Sequence, residues 1–152
     1  VLMVLAVYDA KWGELPTVLL ILSIIIGAMV CVLKLYEVQL SDSPDVKGAL
    51  LSTLGGVLIL SGTCFVLYKA SKERLMGGGE GSLALALALA LSDWWLALWT
   101  IFLANLLGDI IALPGALKKK GHVVHFGPFL VAAFVIVLVL GNCLPLLIKV
   151  GI

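Results

Sequence analysis

Four apolar runs, each about as long as a bilayer is thick, decide most of what this chain can become: residues 15–36, 48–68, 94–117 and 126–148. A helix needs about 20 apolar residues to cross roughly 30 Å of hydrocarbon. Lipid offers no partner to backbone N–H and C=O groups, so such runs are expected to be helical. The first pair is joined by the polar turn EVQLSDSPDVK (37–47) and the second by KKKGHVVH (118–125). Composition supports the same reading. Hydrophobic residues make up 62% of the chain and charged residues 12%, against about 45–50% and 25% in soluble domains, and mean hydropathy is +1.22. The 152 residues are expected to form one membrane-embedded domain with lipid as a partner. A net charge of +1 gives no basis for nucleic-acid binding.

Two shorter segments complete the plan. SLALALALAL (82–91) alternates Leu and Ala as a strand would, but both residue types are apolar and strong helix formers, so no polar face alternates. It reads as a short helix of about 15 Å, which crosses only part of a bilayer. Residues 1–7 read as the closing part of a truncated first helix that begins upstream. The expected fold is therefore all-α, a polytopic transmembrane bundle of about six helices. A cleavable signal peptide is not expected, because no basic leader precedes the first apolar run. Cys31, Cys64 and Cys143 stand far apart in or at the ends of apolar runs without a CxxC pair. They read as core residues, with no metal site or cofactor implied.

If the helices alternate direction, Lys11, Lys69, Lys72, Arg74 and Lys118 to Lys120 gather on one side, and Lys34, Lys47 and Lys149 on the other. The richer side is expected in the cytoplasm. Tyr8, Trp12 and Tyr68 suit that boundary, and Tyr36, Trp94 and Trp95 the opposite one.

The acids then sort themselves. Glu37, Asp42, Asp45 and Glu73 fall in polar loops, and Asp93 in Ser92-Asp93 reads as a helix cap. Asp109 lies inside an apolar run, either as a functional group, or as an acid that snorkels to the interface or pairs with a basic residue such as Lys118. Asp9 and Glu80 each border an apolar segment on the cytoplasmic side, and the helical hairpin between them returns the chain to that side, so they can meet. Two carboxylates in one site cannot both ionise cheaply; one holds a proton while the other activates water. A helix C-terminus disfavours charge on Asp9 and a helix N-terminus favours it on Glu80.

Three ordered motifs carry a family resemblance: DAKWGELP (9–16), GGGEGSL (77–83) and HFGPFL (125–130). With their spans they resemble the type IV prepilin peptidases and archaeal preflagellin peptidases, GxGD intramembrane aspartic proteases. The resemblance implies a catalytic pair Asp9 and Glu80, a substrate loop at Gly77, Gly78 and Gly79, and a structural motif of Pro16, Phe126, Gly127 and Pro128. It implies an endopeptidase of the cytoplasmic membrane that removes the basic leader from a pilin-like or archaellin-like precursor at the cytoplasmic face, as in pilus assembly and secretion. Two departures stand out. Glu80 replaces the family's aspartate, and Gly81-Ser82 its Val-Lys. The cysteine-rich region associated with N-methylation is not in this sequence, so no methyltransferase activity is expected. Two alternatives follow: a homologue that binds pilin-like helices without cleaving them, and a small ion or proton transporter using Asp9, Glu80 and Asp109. Presenilin-like proteases also pair Tyr-Asp with GxGD, but match less well in motif order.

Overall fold

The computed structural model describes residues 1–12, 15–40, 45–70, 79–118 and 126–150, with backbone alone at 70, 111–118 and 142–150. Among the described residues there are six helices and no strand: α1 (Leu2–Trp12), α2 (Thr17–Gln39), α3 (Val46–Ala70), α4 (Glu80–Leu91), α5 (Trp94–Lys118) and α6 (Gly127–Val150). The all-helical expectation and the helical reading of the Leu/Ala repeat both hold. Within the described residues, Thr17–Gln39 and Val46–Lys69 are long and apolar enough to cross a membrane, while the apolar parts of α5 and α6 run Trp94–Ile110 and Gly127–Gly141.

The shortest of the interior elements, α4, sits at the centre, packed on α2 and α3 and touching α5 and α6. Its composition explains the position, because a helix that is apolar all round has no face to give to water. Leu83, Leu87 and Leu91 lie four residues apart on one stripe and are essentially inaccessible, and Ala84 and Ala88 are fully buried beside them. The small alanines let neighbours come close. On α2, a Cβ at Gly27 would lie 2.5 Å from the Ala86 carbonyl oxygen, so α2 and α4 touch backbone to backbone there. Around this centre, α6 packs on α5 and α1, and α3 also packs on α5.

α4 ends at Ser92, whose left-handed φ of 52° lets the chain reverse into α5. Its N–H donates to the Ala88 carbonyl and its hydroxyl to the Leu89 carbonyl. Asp93 then caps α5, accepting from the Trp95 N–H at 2.8 Å, as expected of Ser-Asp before a helix. Lys34 of α2 reaches the same corner and donates to the carbonyls of Ala90 and Leu91 at 3.2 and 2.8 Å. A cation there meets the negative end of α4. Cys31 and Cys64 are buried, as core cysteines should be. The outer faces are apolar as well: Val18 is 77% exposed and Leu51 73%.

Candidate active site

At the other end of α4 the chain buries acid. Glu80 is the first residue of α4 and only 2% exposed, and Asp9, in the last turn of α1, is likewise 2% exposed. Burying a carboxylate is costly unless donors replace its water. Donors are at hand: the Glu80 Oε1 accepts from the Phe126 N–H at 2.7 Å and from the Gly127 N–H at 3.2 Å. These belong to the opening of α6, where N–H groups have no partner within their own helix. Pro128, next in sequence, has no N–H to satisfy and suits a first helical turn. Glu80 therefore stands at two helix N-termini at once, its own and that of α6, and both stabilise negative charge on it.

Asp9 reaches the same turn. A Cβ on Gly127 would fall on Asp9 Oδ2 and lie 3.1 Å from its Cγ, so the carboxyl group packs directly on the Gly127 α-carbon. Gly127 is thus a shared neighbour, bonded to Glu80 through its N–H and touched by Asp9 at its α-carbon. The two acids expected to converge do come to one place, the first turn of α6.

Local sequence sets up this approach. Pro16, at φ −64° and ψ 121°, stands at the N-cap of α2, and its carbonyl accepts from Leu19 and Leu20. Gly79 leads into α4 and lies against the α1–α2 connection: a Cβ there would be 2.9 Å from Leu15 Cβ. Any larger residue at 79 would push the start of α4, and Glu80 with it, away from α2. Gly77, Gly78, Glu14, Lys72, Glu73 and His125 lie outside the described residues. Beside the site, Tyr8 stacks on Trp12 with ring centroids 4.6 Å apart, and the Lys11 ammonium lies 4.5 Å from the Trp12 ring centroid.

Asp109 does not join the acids. It is exposed on α5, although the neighbouring Gly108 faces Phe126, where an added Cβ would be 3.7 Å from the Phe126 ring. Asp109 therefore lies level with the acids on the outside of the bundle. The connection that sequence reasoning missed is the bond from Glu80 to α6. Its one signal was the Gly-Pro of HFGPFL, which marks a helix start with N–H groups to offer. Among the described residues no three His, Cys, Asp or Glu side chains cluster as a metal site would. Comparison with family models, with curated proteins and with solved structures gives no match.

Proposed function

We propose that this protein is an intramembrane aspartic-type endopeptidase that cuts the leader from a pilin-like precursor at the cytoplasmic face of the cell membrane. The observation that carries the reading is the meeting of two buried carboxylates, from distant parts of the chain, on one turn of α6. Glu80, fixed by two N–H groups, acts as the charged base that takes a proton from water. Asp9 carries the proton of the pair and donates a hydrogen bond to the scissile carbonyl oxygen. Water adds to the carbonyl carbon, the amide nitrogen is protonated as the C–N bond breaks, and the pair returns to its starting state. The apolar outer faces and the two long apolar helices support a membrane bundle, and the excess of basic residues that the sequence assigns to the side of Asp9 and Glu80 supports a site toward the cytoplasm.

The test is cleavage of a leader-bearing pilin-like precursor by the purified full chain in detergent. Asp9→Asn and Glu80→Gln are each expected to lower turnover by about 10²–10⁴-fold, the usual worth of a positioned acid or base. Normal cleavage by the Asp9 variant overturns the reading.

A second reading draws on one observation. The bonds from Glu80 to α6 are a structural task that a non-cleaving homologue would keep. In that case the wild-type chain binds precursors in a pull-down with defined pilin-like peptides yet cuts none of them.

A further inference from the structure

We propose that Gly127 is a positioning residue for Asp9: the missing side chain at the first position of α6 is the space in which the Asp9 carboxyl group stands beside Glu80. This rests on the aspartic-type reading of the site. Gly127 precedes Pro128, whose ring crowds a Cβ on the preceding residue in a helical conformation, so part of the reason for glycine is local. The rest is the neighbour across the packing. An added Cβ would occupy the place of Asp9 Oδ2 and press on its Cγ, while the neighbouring atoms are those of a buried carboxyl group on a packed helix. Asp9 is held by its own helix, since α1 packs on α6. It could yield only by rotating away from the turn on which Glu80 is fixed. The N–H of the same residue holds Glu80, so one glycine controls both acids, the one by an absent atom and the other by a hydrogen bond.

On α3 a Cβ at Gly62 would meet nothing within 4 Å, so that glycine makes room for no neighbour. Gly127→Ala and Gly62→Ala therefore make the same chemical change with opposite expectations.

The experiment joins kinetics to a stability cycle on the full chain in detergent. Gly127→Ala is expected to lower kcat on the precursor by about 100-fold, the effect of misplacing a reacting group by roughly 1 Å, with KM within about threefold. Gly62→Ala leaves both unchanged. Thermal unfolding is then measured for Gly127→Ala in two backgrounds, wild type and Asp9→Ala. The substitution carries its local cost before Pro128 in both backgrounds, so it is expected to lower Tm clearly more where Asp9 is present than where the Asp9 side chain has been removed. An equal loss of Tm in both backgrounds, or an unchanged kcat, overturns the proposal. If the wild-type chain cleaves nothing, the peptidase reading falls. The cycle then decides by itself whether Gly127 places Asp9.

Discussion

The two ends of α4 use the same device with opposite sign. At one end the Lys34 ammonium from α2 meets the last carbonyls of α4; at the other the Glu80 carboxylate of α4 meets the first N–H groups of α6. Each places a charge where the helix dipole welcomes it. The ends differ in what surrounds that charge. Lys34 is half-buried and shares its corner with polar groups, among them Thr53, Ser92 and Asp93. Glu80 is sealed, and a second acid, Asp9, is sealed against the same turn. One charge is enough to close a helix end, as Lys34 demonstrates. The second buried carboxyl group, Asp9, is what sets this end apart, and under the proposed peptidase function it is the proton-bearing member of the pair.

The largest effect that tests this contrast is on turnover. Asp9→Asn is expected to lower precursor cleavage by about 10²–10⁴-fold, whereas Lys34→Met should leave it within about twofold. Equal losses for both would mean that each end is merely structural. Next comes Glu80→Asp. From the sequence alone, the extra methylene looks like a displacement that aspartate would undo. In the structure that methylene is the length that brings Oε1 to 2.7 Å from the Phe126 N–H. Shortening the side chain withdraws the carboxyl group by about 1 Å, so a loss near 100-fold in kcat is expected. A gain would show that the contact with α6 opposes catalysis.

The smaller effects are on stability. Lys34→Met should cost about 1–2 kcal/mol in detergent unfolding, the worth of hydrogen bonds to a charged donor at a helix end. Asp93→Ala should cost about 1 kcal/mol through loss of the α5 cap, read by the same unfolding measurement. Either variant that also abolishes cleavage would tie the two ends together more closely than the packing suggests.

Much of this was legible in the sequence because it depends on periodicity and on alternation of direction. Uniformly apolar Leu/Ala reads as a short helix, although its central place does not follow from the repeat, and a hairpin between Asp9 and Glu80 returns the chain to one side. Ser-Asp before Trp94 announced its cap because an N-cap acts within a few residues. What stayed hidden is what one element does to another. Nothing near Leu91 in the sequence signals a lysine from α2 at its carbonyls, and nothing near Glu80 names Phe126 and Gly127 as its donors. Asp109 shows the same limit. An acid in an apolar run could face inward or outward, and only the packing of Gly108 on Phe126 turned it outward.

Between α2 and α4, Leu20 stands opposite Gly79 and Gly27 opposite Ala86, the same number of residues along each helix, so the two run side by side without slippage. Lys34 holds the far tip of α4 and the α6 turn holds the near one. A rod gripped along its flank and at both tips has no stroke. Under the proposed peptidase function, Glu80 is then the fixed part of the site, and the substrate is the part that has to be brought to it.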